Sequence, residues 1–232
     1  MYQSPFLVKN TQRYLLTRNK LVMSIIKSIF NSDSDAIFSA LEIHSTNKII
    51  DVDPTYSIGN FYKNTKLSQP TLKFDIFPQA LDVIKSDARS LPIANNSVNT
   101  IVFDPPFLAT TGKSLQANNQ SNLIAKRFSV FQSEKELHQF YVDSLKEFYR
   151  ILQHKGIVIF KCQDKVSSGK QYFSHVFIIN EAQKIGYYVK DMGILLAKSR
   201  LVAHWQKNQK HFRKFHSYYI VLSKESKNIE YT

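Results

Sequence analysis

The stretch VNTIVFDPPFLATTGK, residues 98–113, decides how the rest of the chain is read. Ile101, Val102 and Phe103 form an uninterrupted apolar run, the pattern of a strand buried on both faces. The run ends in Asp104. Pro105 and Pro106 then stiffen the chain, because proline fixes φ and removes an N–H donor. A carboxylate at the mouth of a buried strand, followed by a rigid turn rich in acceptors, suits the gripping of a donor group. It also suits an ordinary strand-to-loop turn, since Asp and Pro are common there.

Working outward, NKIIDVDP (47–54), TLKFDIFP (71–78) and DVIKSDARSLP (82–92) each carry a short strand, and GIVIFKCQD (156–164) carries another. These strands end at Asp53, Asp75, Asp87, Asp104 and Asp164. SEKELHQFYVDSLKEFYRIL (133–152) predicts a helix. Ser133 and Glu136 form its capping box, and Leu137, Phe140, Tyr141, Leu145, Phe148 and Leu152 its apolar stripe. Gly156 lies just past its end. SHVFIINEAQKIG (174–186) predicts a second helix, closed by Gly186. YYVKDMGILLAK (187–198) and SYYIVLSK (217–224) read as final strands. Near the N-terminus, Thr17 predicts the cap of a helix running to about Phe30, with Leu21, Val22, Ile25, Ile26, Ile29 and Phe30 on one side and NSDSD as a break after it. Strands alternating with helices imply an open α/β sheet. Ligands of such sheets lie beyond the carboxyl ends of the strands, so acids at five strand ends predict a crevice rim.

The chain has 232 residues, 43% of them apolar, which suits one domain or a domain with an appendage. The single cysteine, Cys162, excludes a disulfide framework and a cysteine-built zinc site. The histidines lack ligand spacing, so no metal is expected. LVMSIIKSIF is short and broken by Lys27, so neither a signal peptide nor a membrane span is expected, and a cytoplasmic protein is the default reading. Lysine and arginine number 31 against 18 acids, a net charge of +13. Such an excess favours a polyanionic partner.

The residues also resemble a family. Asp104-Pro105-Pro106-Phe107 resembles the (D/N)PP(Y/F/W) motif of the S-adenosylmethionine-dependent amino-methyltransferases, which act on adenine N6 or cytosine N4. DPTYSIGNFYK (53–63) resembles a diverged form of the family's cofactor-binding DPxxGxGxF motif, with Gly59 as its one glycine and Thr55, Tyr56 and Ser57 in the loop. FDIFP resembles the second strand, whose acid holds the cofactor ribose. SDARSLP resembles the third, whose acid lies near the cofactor adenine. The similarity spans roughly residues 47 to 165. DPTYSIGNFYK, DPPFLA and IFKCQD together resemble a set of small phage and bacterial DNA-methylase-like proteins.

The resemblance implies a Rossmann-like class I methyltransferase fold: a mostly parallel seven-stranded sheet with a C-terminal antiparallel hairpin. The domain would span 46–225, with a helical extension at 1–45 and a tail at 226–232. It implies S-adenosyl-L-methionine as cofactor, bound by Asp53, Thr55, Tyr56, Gly59, Phe61, Asp75, Asp87 and Ala88. Asp53 would face the methionyl ammonium, Asp75 the ribose, and Asp87 with Ala88 the adenine. Asp104 and the Pro105 carbonyl would accept the two amine hydrogens, Pro106 would stiffen the turn, and Phe107 would stack on the extruded base. Adenine N6 in DNA is the favoured target. The alternatives are adenine N6 in RNA, cytosine N4 in DNA, and a non-catalytic nucleic-acid-binding subunit.

Two further stretches suit nucleic acid. The polar loop 108–128 carries Lys113, Lys126 and Arg127. WQKNQKHFRKFHSYY (205–219) interleaves Lys207, Lys210, Arg213 and Lys214 with Trp205, Phe212 and Phe215, a pattern for phosphate contact with stacking. Little sequence remains for a separate target-recognition domain, so loops, the N-terminal helix, a partner subunit or a homodimer would supply sequence choice. Affinity for nucleic acid is expected to fall linearly with salt on a log–log plot. Replacing Lys207, Lys210, Arg213 and Lys214 with neutral residues should flatten that line by roughly 0.7–0.9 per lost phosphate contact. An unchanged slope would place the contacts elsewhere.

Overall fold

The computed structural model describes residues 15–17, 20–22, 25–107, 109, 131–197, 208–225 and 227. The apolar run before Asp104 forms β7 (Val98–Phe103) near the centre of the main sheet. It pairs in parallel with β4 (Val52–Asp53) on one side and β8 (Leu152–Cys162) on the other. Beyond β4, β5 (Leu72–Asp75) and β6 (Ile84–Lys85) continue in parallel. Beyond β8 lies the antiparallel pair β12 (His216–Ser223) and β11 (Tyr188–Leu196). β3 (Ile29–Phe30) joins β11 in parallel at the edge. The fold is therefore the Rossmann-like, mostly parallel sheet with a C-terminal antiparallel hairpin that the sequence predicts. It has eight strands in place of seven, the additional one being β3.

Both faces are covered, and the strands show it by alternation. Ile101, Phe103, Val158, Phe160, Cys162, Ile220 and Leu222 pack beneath α2 (Glu134–Ile151) and α3 (Ser174–Ile185). Val102, Ile157, Ile159, Tyr219 and Val221 pack on the other face with α1 (Asp33–His44) and the loop carrying Tyr56 and Tyr62. Two small hairpins stand apart from this sheet: β1 (Leu15–Thr17) with β2 (Lys20–Val22), and β9 (Lys165–Ser167) with β10 (Lys170–Tyr172).

The helix expected from Thr17 to Phe30 does not form. That stretch holds β1, β2 and β3 instead. Ile25 and Ile29 are exposed, so the spaced apolar residues do not make one buried stripe, and Ile29–Phe30 gains an open sheet edge. NSDSD starts a helix where the sequence reading expected a break. Ser32 is the N-cap of α1, its hydroxyl accepting from the Asp35 amide at 3.1 Å. Residues 29–44, read as part of an N-terminal extension, thus add a strand and a helix to the main sheet. Ser133 caps α2 as expected, although Glu136 reaches back to the Gln132 amide. Gly156 does not end this helix. It lies inside β8, which begins immediately after Ile151. Gly186 closes α3 with φ of 115°, as its position predicts.

The junction of α2 and β8 is held by Lys224. Its Nζ donates to the carbonyls of Tyr149 and Leu152 at 2.5 and 2.8 Å and to Asn96 Oδ1 at 2.7 Å. Lys224→Met is expected to destabilise the fold by about 1–3 kcal/mol, because two C-terminal helix carbonyls lose a charged donor. Urea unfolding checks this, and an unchanged midpoint would contradict it.

Candidate active site

The carboxyl ends of β4, β5, β6 and β7 open onto one recess. It is lined by Pro54, Thr55, Ser57, Asp75, Ile76, Ser86, Asp87, Ala88, Arg89, Asp104, Pro106, Phe131 and Phe140. Of the residues singled out in the sequence, it unites Thr55, Asp75, Asp87 and Ala88 with Asp104 and Pro106. Asp75, at the end of β5, accepts from the Ser57 and Phe77 amides, both at 2.8 Å. Those two bonds aim its carboxylate across the recess from the β4 loop. Asp87 is paired with Arg89, whose Nη2 lies 2.6 Å away. That guanidinium holds the Asp87 carboxyl below its usual range. The Arg89 guanidinium stands 5.6 Å from the Phe140 ring centre, so a charge and an aromatic face meet at this wall.

Asp53, Tyr56, Gly59 and Phe61 do not line the recess. Asp53 is 2% exposed. It accepts from the Thr55 amide at 2.9 Å and from the Tyr62 hydroxyl at 2.7 Å. Tyr56 is buried, stacks on Tyr62 at 5.6 Å and donates to Gln69. Gly59 has φ of 69°, and a Cβ there would strike the Tyr56 ring, so this glycine shapes the loop. Phe61 lies against the Lys161 ammonium, its ring centre 5.0 Å away.

Asp104 follows β7, and its segment is held at each step. The Asp104 amide donates to Thr55 Oγ1 at 3.0 Å. The Tyr141 hydroxyl donates to the Pro106 carbonyl at 2.6 Å. Lys165 Nζ donates to the Phe107 carbonyl and pairs with Glu134 at 2.6 Å, both side chains buried. Pro105 is buried and Phe107 partly so. Lys161 Nζ stands 3.5 Å from the Asp104 carboxylate, and Asp104 Oδ1 is buried without a hydrogen-bond partner. Burial pushes the Asp104 carboxyl up, against the pull of Lys161.

Sequence reasoning missed Lys161, Lys165, Tyr141, Arg89 and Phe140. Lys161 carried a signal, a cation inside the apolar run IVIFKC. Asp164, read as part of the rim, is buried and accepts from the His175 amide and ring at 3.3 and 2.8 Å. It anchors the start of α3. Lys210, Arg213 and Lys214 lie in the segment before β12, where Phe212 is 90% exposed. Lys113, Lys126, Arg127 and Lys207 lie outside the described residues. Among the described residues, no group of three or more His, Cys, Asp or Glu is placed to hold a metal, and no helix is long and apolar enough to cross a membrane.

No protein-family model matches the chain, and no curated protein matches it at a significant level. Solved structures do resemble it. The cytosine-N4-specific PvuII DNA methyltransferase is 14% identical, with 60% of this chain and 47% of that one covered and a TM-score of 0.42. A candidate DNA modification methylase from Thermus thermophilus, in complex with S-adenosyl-L-methionine, is 16% identical, with 63% and 56% covered and a TM-score of 0.42. A TehB-like methyltransferase from Corynebacterium glutamicum is 12% identical, with 75% and 78% covered and a TM-score of 0.37. The chain spans about half the length of the two DNA methylases. At these identities and TM-scores, the case for function rests on the geometry of the site.

Burial raises the Asp53 carboxyl from 3.8 to about 7, although Tyr62 and Thr55 pull it down. The folded state therefore holds this proton more tightly than the unfolded state. The resulting stability is complete below about pH 3.8 and is lost as pH rises through about 7. A shift of this size corresponds to roughly 4 kcal/mol. Asp53→Asn keeps the acceptor for Thr55 and removes the titration. Urea unfolding from pH 5 to 8 is expected to show the wild type losing stability relative to the Asn variant. A constant difference across that range would contradict the assignment.

Proposed function

We propose that the chain is an S-adenosylmethionine-dependent methyltransferase that acts on an exocyclic base amine, adenine N6 in DNA. One observation carries this reading: Asp104 Oδ1 is a buried carboxylate oxygen without a hydrogen-bond partner, at the edge of a recess whose other acids are Asp75 and Asp87. A carboxylate oxygen that lacks a hydrogen-bond donor at a rigid turn, with the Lys161 ammonium 3.5 Å away, suits a donor that arrives with the substrate.

The recess fits the cofactor. Asp75, fixed by two amides, presents an acceptor for ribose hydroxyls. Ala88, buried beside Asp87, sets a small apolar side chain next to a carboxylate at the wall where the adenine would lie. Phe131, Phe140, Ile76 and Pro106 supply the remaining apolar walls. When bound, the cofactor supplies an electrophilic sulfonium methyl.

An exocyclic amine is a weak nucleophile because its lone pair is delocalised into the ring. Asp104 accepts one amine hydrogen and the Pro105 carbonyl the other, drawing the nitrogen toward tetrahedral geometry. As positive charge develops on that nitrogen, a preorganised carboxylate stabilises it. Thr55, Tyr141 and Lys165 hold the segment so that little reorganisation accompanies the reaction. Phe107 offers its ring to the extruded base. The net charge of +13 and the exposed Phe212 beside Lys210 and Arg213 suit a nucleic-acid backbone. Sequence choice would come from loops, a partner chain or a second copy.

Asp104→Ala is expected to reduce single-turnover methyl transfer by on the order of 10²–10³ with cofactor affinity nearly intact, because the carboxylate acts in the transition state. Asp75→Ala should do the reverse, weakening cofactor binding by about 1.5–3 kcal/mol. Calorimetry and transfer of labelled methyl to DNA and, separately, to RNA would read both, and mass analysis of the product nucleosides would identify the base and atom. Wild-type transfer rates in Asp104→Ala would refute the role given to Asp104.

A further inference from the structure

Lys161 is a largely buried cation on the sheet face opposite α2 that the proposed reaction does not use. Lys161 lies on β8 in phase with Ile157 and Ile159, so its side chain enters the face covered by α1. There its Nζ pairs with Asp33 Oδ1 at 2.7 Å and with Asp104 at 3.5 Å, and the side chain is 12% exposed. The Tyr219 hydroxyl donates to the same Asp33 oxygen at 2.5 Å. The rings of Phe61, Phe107 and Tyr219 surround the ammonium, with centres 5.0, 5.6 and 5.9 Å away.

We infer that Lys161 is a positioning residue that keeps the Asp104 carboxylate anionic, and that Asp33 at the start of α1 offsets the charge of Lys161 so that the site retains a net negative charge. The inference deepens the methyltransferase reading and, for its effect on rate, rests on it. The physical argument has two parts. Asp104 is pushed toward its neutral form by burial and by the neighbouring charge of Asp33, and its own charge in turn helps to raise the Asp53 carboxyl. The other titratable groups facing it are the hydroxyls of Tyr62, Tyr141 and Tyr219. Among the described residues, Lys161 is the cation within ion-pair distance of it. A neutral Asp104 could no longer serve as a full acceptor for an amine that gains positive charge. Yet an unbalanced ammonium at 3.5 Å would repel that same charge. Asp33 removes the conflict: two carboxylates and one ammonium leave a net charge of −1 on the triad. Because Lys161 sits closer to Asp33 than to Asp104, Asp104 Oδ1 keeps no hydrogen bond of its own.

The two partners should therefore act in opposite directions on one measurable quantity. The full-length protein, labelled with ¹³C at aspartate carboxyls, is titrated by NMR, with the Asp104 signal assigned from its absence in Asp104→Asn. Lys161→Met is expected to raise the Asp104 midpoint by about one pH unit or more, since an opposite charge at this range lowers a carboxyl by that much. Lys161→Arg should restore the wild-type midpoint. Asp33→Asn should lower the midpoint and, in single-turnover transfer, lower the rate reached above it. The acid limb of the transfer profile should move with the NMR midpoint in each variant. A midpoint that stays put in Lys161→Met, or rises in Asp33→Asn, overturns the inference. Should Lys161→Met fail to fold, Asp33→Asn decides alone: a lowered midpoint supports the triad and an unmoved one overturns it. Shifted midpoints in a protein whose wild type transfers no methyl would uphold the charge triad and remove the methyltransferase reading.

Discussion

The hydroxyl of Thr55 ties the two central strand ends together. It accepts from the Asp104 amide at 3.0 Å and donates to Asp53 Oδ1 at 3.4 Å, while the Thr55 amide donates to the same Asp53 oxygen at 2.9 Å. β4 and β7 share only a short parallel ladder, registered at Val52 and Ile101. Past that point the chain enters two prolines, which have no N–H to extend a ladder. Side chains take over the hydrogen bonding that the backbone can no longer provide. The turn at Asp104 is thus specified by Thr55, Tyr141 and Lys165, each from a different part of the chain.

The acids at the strand ends divide by burial. Asp75 and Asp87 line the recess, Asp75 held by two backbone amides and Asp87 by Arg89. Asp53 and Asp164 point inward, where Tyr62, Thr55 and His175 satisfy them. Asp104 lies between these classes: recessed, paired loosely with Lys161, and left with one unbonded oxygen. Residue type and strand position are shared by all five, and the surroundings assign each its part.

α1 changes the picture of the N-terminal region. Ser32 caps it, and Ile37 and Leu41 bury it against the sheet. Its first turn brings Asp33 to Lys161 and Tyr219, residues 128 and 186 positions further along the chain. A segment that reads as an appendage therefore sets part of the charge at the site.

The sequence by itself determined the architecture and the outline of the recess. Apolar runs long enough to be buried on both faces, each closed by an acid, can be read locally, because strand periodicity and turn chemistry are short-range properties. The caps at Ser133 and Gly186 were legible for the same reason. Local reading failed at residues 17–30, where an apolar spacing compatible with a helix instead holds β2, paired with β1 in a separate hairpin, and β3, paired with the open edge of β11. It also grouped Asp53, Tyr56, Gly59 and Phe61 with the recess because they are neighbours of Thr55 in sequence, whereas the left-handed turn at Gly59 and the stacking of Tyr56 on Tyr62 direct them into the core. Only the tertiary structure decided which cation faces Asp104. Lys161 is 57 residues from it in sequence, and the contact exists because β8 pairs in parallel with β7 and its alternation points residue 161 to the face where α1 begins.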